Sequence, residues 1–131
     1  MSTQKDVLSQ IRDRNQVTIM TNKGKFGLGQ IVAIPAASAL LKKTGFSAAA
    51  LIARHVHGDW GDCCGGDAQL NEDALTNGSR VFSIYKLLDA ELLKEIPRAK
   101  RSSLPTVWVI TNAANEAGVR DVTTLLLPKD Y

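Results

Sequence analysis

Thr106-Val107-Trp108-Val109-Ile110-Thr111 is the stretch on which the fold turns. Every residue in it is β-branched or aromatic, the types that suit a pleated, half-buried surface. It reads as the clearest strand of the chain. Arg80-Val81-Phe82-Ser83-Ile84-Tyr85 alternates in the same way and reads as a second strand. Asp121-Val122-Thr123-Thr124-Leu125-Leu126-Leu127 reads as a third, stopped by Pro128. Successive strands without crossover helices pair antiparallel. Residues 89–105 lie between the first two strands and contain Lys94-Glu95-Ile96-Pro97-Arg98-Ala99-Lys100-Arg101. This basic stretch, interrupted by Pro97 and Pro105, is expected to protrude as a loop with one helical turn.

The first half has a different period. Phe26 to Ile34 reads as a strand loosened by Gly27 and Gly29. Pro35 sits well at a first helical position, and Ala36 to Lys43 reads as a short helix stopped by Gly45. Ser47 is an expected N-cap for a helix from Ala48 to about Val56, with Ala48, Leu51, Ile52 and His55 on its apolar stripe. Asn71 to Thr76 reads as a third short helix, closed by Asn77-Gly78. The expected architecture is α+β: short N-terminal helices packed on one face of a small antiparallel sheet, formed mainly by the C-terminal half. Residues 1–25 read as a polar arm with a helical spacing at Val7, Leu8 and Ile11 and a brief strand at Val17–Met20. Residues 26–131 read as a single domain.

The bulk numbers suit that size. The chain has 131 residues, 44% of them hydrophobic and 22% charged, as expected for one globular core. The net charge of +3 permits contact with a polyanion without requiring it. The only two cysteines are adjacent, which rules out a disulfide framework and fits a reducing cytoplasm. The N-terminus lacks an apolar signal core, and no apolar run approaches the roughly 20 residues of a membrane span. A cytoplasmic chain without a membrane partner is expected.

Chemically versatile groups concentrate in Arg54-His55-Val56-His57-Gly58-Asp59-Trp60-Gly61-Asp62-Cys63-Cys64. His55, on the apolar stripe, is expected to be a buried neutral imidazole; the alternative is a general acid or base in a cleft. His57, at the helix end, reads as a C-terminal cap. Gly58 to Asp62 reads as a structured turn: Gly58 with positive φ, Asp59 bonding amides one or two residues on, Trp60 burying its ring as an anchor. His55, His57, Asp59, Asp62, Cys63 and Cys64 offer every common zinc ligand type, but with the wrong spacing and no second ligand pair. No metal and no cofactor are therefore expected, and Cys63 and Cys64 read as fillers of loop space. Trp108 reads as core packing.

Several functional motifs are excluded. Lys23-Gly24-Lys25-Phe26-Gly27-Leu28-Gly29 is glycine-rich but lacks the phosphate-loop pattern and precedes a strand instead of following one. There is no Gly-x-Ser-x-Gly elbow. The two helices around Gly45 suggest a helix-turn-helix, but the second, Ser47 to Arg54, offers almost no polar side chain for reading bases. One catalytic constellation survives: His55 or His57 with Arg80, Ser83, Tyr85 and Thr123, in the manner of a metal-independent ribonuclease. Strand alternation places Ser83 and Tyr85 on one face and Arg80 on the other, which counts against it.

His55, Gly58-Asp59-Trp60-Gly61 and Asn71, followed by Gly78, Arg80, Ser83, Tyr85, Trp108-Val109-Ile110-Thr111, Thr123-Thr124-Leu125-Leu126-Leu127-Pro128 and Tyr131, form a recurring pattern. On these motifs residues 26–131 resemble a group of small plasmid and integrative-element proteins, described as "plasmid-related protein" or as a type I restriction subunit. The resemblance implies a bacterial mobile element but attaches no activity. The chain departs from the group at Cys63-Cys64-Gly65-Gly66, where the others carry a short acidic loop. It departs again at Thr111-Asn112-Ala113-Ala114-Asn115-Glu116, which is longer and less acidic than the group's hairpin, and in the insertion at 89–105. It is too short for a methyltransferase domain.

The function expected from these features is a non-enzymatic accessory module that binds another protein through residues 57–67 and 89–105. Asp59, Trp60, Asp62, Arg98, Lys100 and Arg101 are the candidate contacts. The alternatives are the ribonuclease-like enzyme and a weak nucleic-acid binder using the basic arm and loop.

Overall fold

Gly29 decides where the first strand starts. Its backbone is left-handed (φ 65°), and a side chain there would collide with the backbone of Arg120 and Asp121. Strand β1 is therefore Gln30–Ala33, shorter than the expected run from Phe26. The computed structural model describes residues 24–131, so the elements expected at Val7–Ile11 and Val17–Met20 lie outside the described residues. Helix α1 (Pro35–Thr44) has Pro35 at its first turn and ends on left-handed Gly45. Helix α2 (Ala48–Val56) is capped by Ser47, whose hydroxyl accepts the Ala50 amide. Helix α3 (Gly65–Asn77) begins six residues before the expected Asn71, because the Cys64 sulfur accepts the Asp67 amide and serves as its N-cap. A thiol N-cap carries none of the usual sequence signal. Strand β2 (Val81–Lys86), a short helix α4 (Ala90–Lys94), β3 (Thr106–Thr111) and β4 (Val122–Leu126) complete the order, with 3-10 turns at Arg98–Lys100 and Pro128–Asp130.

The α+β class is as expected, and β2, β3 and β4 form an antiparallel ladder. The sheet as a whole is mixed, however. Its order is β1-β4-β3-β2, and β1 lies parallel to β4, with Ile31 opposite Thr123. The α1–α3 segment and two strands intervene between β1 and β4, so no tight turn forces the pair to be antiparallel.

Alternation divides the sheet into two faces. Val81, Ser83 and Tyr85, Val107, Val109 and Thr111, and Thr123 and Leu125 are buried on the inner face. Ala37 and Leu41 of α1 and Leu51, Ile52 and Val56 of α2 join Val107, Val109 and Leu125 in the main core. Helix α3 is seated differently, closing a smaller cluster of Trp60, Cys63, Ala74 and Val81 at the β2 edge. Trp108 is not a core residue. It is half-buried on the outer face, edge-on to Phe82 at 4.9 Å and to Tyr131 at 5.4 Å.

An exposed β2 edge would leave a row of unpaired amides and carbonyls. Two devices cover it. The Ile84 amide bonds the Trp60 carbonyl at 3.1 Å, and the Asp62 amide bonds the Ile84 carbonyl at 2.7 Å, so the loop after α2 runs as a one-residue parallel bridge centred on Gly61. The Asn71 side chain then copies a neighbouring strand: its Nδ2 donates to the Phe82 carbonyl at 2.7 Å and its Oδ1 accepts the Phe82 amide at 2.9 Å. Gly61 has φ 70°, and a Cβ there would strike the Ile84 carbonyl and approach the Tyr85 ring to 2.8 Å. Gly66, in the first turn of α3, has open space around it. Gly61→Ala is expected to destabilise the protein by at least about 2 kcal/mol. Gly66→Ala is expected to stabilise it by about 0.5–1 kcal/mol. Urea titration of both variants checks the opposite signs.

Candidate functional site

His55 is fully buried, and both ring nitrogens are engaged. Nδ1 lies 2.7 Å from the Ser83 hydroxyl and Nε2 lies 2.9 Å from the Thr111 hydroxyl. Thr111 and Thr123 are 2.7 Å apart, and the Thr123 hydroxyl donates to the Leu28 carbonyl at 2.7 Å. That carbonyl can only accept, which fixes every proton in the chain. Thr123 uses its proton on Leu28, so Thr111 donates to Thr123. His55 Nε2–H then donates to Thr111, and Ser83 donates to Nδ1. The ring is the neutral Nε2–H tautomer. Burial, aided by the charge of Arg120, lowers its pKa from 6.5 to about 3.

Of the catalytic constellation, Ser83 bonds this ring and Thr123 joins the relay, but Arg80 and His57 stand apart from it. Ser83 and Tyr85 share the inner face, as expected, and Thr123 belongs to the relay. Arg80 is exposed, bonds the Tyr131 hydroxyl and sits 5.7 Å from the Phe82 ring on the outer side. His57 is exposed; its Nδ1–H donates to the Ala53 carbonyl at 2.8 Å, the C-terminal cap expected of it. Among the described residues no open cleft holds an imidazole beside the Arg80 guanidinium.

The residues expected to bind are brought together. Gly58 has φ 91°, and the Asp59 carboxylate accepts the Gly61 amide at 3.0 Å, as the turn reading required. Arg54 Nε donates to Asp59 at 2.7 Å, and the Arg54 guanidinium lies 4.5 Å above the Tyr85 ring. Partial burial raises the Asp59 pKa, but Arg54 and the Gly61 amide outweigh it and leave the net shift downward. The Tyr85 hydroxyl donates to the Asp59 carbonyl at 2.6 Å, and burial pushes this phenol well above its usual range. Trp60 is only 7% exposed. It stacks on Phe26, and its Nε1–H donates to Glu72 at 2.9 Å. It anchors the loop from within and presents no free ring face.

The basic stretch does not wave free. Arg101 bonds the Asp62 carboxylate at 2.6 Å and the Ile96 and Leu93 carbonyls at 2.8 and 2.9 Å. Arg98 donates to the Asp62 and Cys63 carbonyls, both at 2.7 Å. These bonds clamp the 89–105 segment to the loop after α2; Lys100 alone of the three cations is exposed without a bond among the described residues. Between the two loops lies an open groove of about 700 Å³. Its apolar lining includes Phe46, Ala50, Leu51 and Leu93, and its charges are Arg54, Asp59, Asp62, Lys86 and Asp89. A shallower hollow of about 360 Å³ adjoins it across Asp62 and Lys86 and reaches Cys64, Arg98 and Ser102.

Cys63 is buried, and its thiol donates to the Phe82 carbonyl at 3.2 Å; burial pushes it up to about 11. It is an inert packing group, whereas Cys64 is the exposed cap of α3. Among the described residues no three His, Cys, Asp or Glu side chains stand where they could hold a metal, and no helix is long and apolar enough to cross a membrane. Sequence reasoning missed Asn71 as the edge-covering side chain and Arg120 as a buried cation. A buried Asn within a helix is the signal for the first; a single arginine in a loop gives none for the second. No protein-family profile, curated protein or solved structure matches the chain.

The relay makes stability depend on pH. The folded-state pKa of His55 lies below the unfolded value of 6.5, so the unfolded chain takes up the proton first. The contribution is complete above about pH 6.5 and is lost as the pH falls toward 3. Between about pH 6.5 and pH 5 the wild type should lose about 2 kcal/mol more than His55→Asn, as measured by urea unfolding of each at both pH values.

Proposed function

We propose that this chain is a non-enzymatic binding module, and that the groove between its two clamped loops receives a segment of a partner protein. The observation that carries the reading is the pair of arginine bridges to Asp62, at 2.6 Å from Arg101 and 3.9 Å from Arg98. They join the two loops expected to bind and hold a groove open at the surface, so a partner would meet a preformed site with little ordering cost. The apolar floor at Ala50, Leu51 and Leu93 suits an aliphatic anchor, and Arg54, Lys86 and Asp89 at the rim suit flanking charges of either sign. The tight bonding of His55 inside the core supports a role without proton transfer. The likeness to plasmid-related proteins supports an accessory role on a mobile element.

Ala50 is exposed on α2 and lines the groove, so an arginine there fills the site without disturbing the core. Ala50→Arg is expected to weaken capture of a host partner by about 10-fold or more at an unchanged thermal midpoint. Arg80→Ala, on the outer face, should leave capture intact. Retention by Ala50→Arg together with loss by Arg80→Ala would move the contact to the other side of the molecule and overturn the reading.

A further inference from the structure

The outer face of the sheet carries a contiguous group of aromatic rings. Trp108 of β3 meets Phe82 of β2 at 4.9 Å on one side and Tyr131 at 5.4 Å on the other. Tyr131 is 68% exposed, and Phe82 and Trp108 keep part of their rings in solvent. Among the described residues, helices α1 and α2 pack on the inner face and α3 closes the β2 edge. On the outer side of β3 lies the 3-10 turn Pro128–Asp130, which delivers Tyr131 to Trp108.

Cations frame these rings. Arg80, just before β2, sits 5.7 Å from the Phe82 ring and 5.4 Å from the Tyr131 ring. It is exposed and bonds the Tyr131 hydroxyl, which leaves other guanidinium N–H groups for a ligand. Lys86, at the far end of the same strand, bonds the Thr106 hydroxyl at 3.0 Å and lines the 360 Å³ hollow together with Arg98. The carboxylate of that hollow, Asp62, is already paired with Arg101 and Arg98. No aspartate or glutamate occupies an outward position of any strand.

We infer that this face binds single-stranded RNA, with bases on the Phe82, Trp108 and Tyr131 rings and phosphates beside Arg80 and Lys86. Aromatic rings on an open sheet stack unpaired bases, and flanking cations complement the phosphate chain. A second copy of the chain fits less well, because a two-fold face-to-face contact would set these cations against their own kind. Thr124 adds a hydroxyl on the same face, in register with Ile110 and Phe82, where a ribose 2′-hydroxyl can meet it. The rings and Arg80 do not line the loop groove, so RNA binding and the proposed partner binding can fail separately.

The test is fluorescence anisotropy with a labelled single-stranded RNA of about ten nucleotides, its DNA counterpart and its RNA duplex, at about 50 mM salt. The full chain should bind the RNA strand with a Kd below about 100 μM, and the duplex and the DNA at least about 5-fold more weakly. Tyr131→Ala and Arg80→Ala, both at exposed positions, should each weaken binding at least about 5-fold at an unchanged thermal midpoint. Absence of binding to the folded wild type, equal binding of the duplex, or undiminished binding by both variants overturns the proposal. DNA binding as tight as RNA binding overturns the assignment to RNA. A concentration-dependent dimer in sedimentation that Tyr131→Ala abolishes would give the face to a second copy and overturn it as well.

Discussion

A five-group hydrogen-bonded relay crosses the core of this protein, from the Ser83 hydroxyl through His55, Thr111 and Thr123 to the Leu28 carbonyl. Each member comes from a different piece of chain: β2, α2, β3, β4 and the segment leading into β1. Every one of these groups is costly to bury alone. The arrangement therefore tolerates no slip. A one-residue shift of any strand would send a hydroxyl to the outer face and leave its neighbour unpaired in the core. The relay fixes strand register and seats α2 against the sheet. The same tether holds the entry to β1 against β4, where Leu28 reaches Thr123 just before β1 begins.

The loop after α2 inherits its position from this constraint. His55 stands two residues before the helix cap, so fixing its ring fixes where the chain leaves α2. Trp60 then packs edge-on to the same imidazole at 6.2 Å, and the Asp59 carbonyl is held by Tyr85 from the sheet. Asp62 emerges beside Ile84, where two arginines from the far loop meet it. The groove is thus a consequence of core packing carried outward through six residues of backbone. The same packing commits His55, Asp59, Cys63 and Tyr85 to internal bonds.

Much of this was legible in the chain itself. Period and capping located α1, α2, β3 and β4, because Pro35, Gly45 and Ser47 have strong local meaning and Thr106–Thr111 has no competing pattern. The anchoring turn at Gly58–Asp62 and the buried neutral His55 followed from spacing alone. What local pattern could not give was anything set by distant partners. The mixed sheet depends on which edge β1 finds. Asn71 and Arg120 acquire their roles only once β2 and the loop around Asn112 are brought to them. Trp108 was misplaced because an apolar aromatic in a strand fits either face, and Phe82 and Tyr131 happen to shelter it on the outer one. The 89–105 segment looked free because the carboxylate that clamps it lies far back in the sequence.

The seating of α2 and the strands rests on the relay's direction of donation. Nitrogen-15 NMR of the imidazoles across a pH series reads it directly. The expected His55 ring is in the Nε2–H form, with a slowly exchanging proton, and stays neutral well below the ordinary histidine value of 6.5. A His55 ring that titrates near that value, or that carries its proton on Nδ1, would mean that the buried chain of hydroxyls does not exist as described.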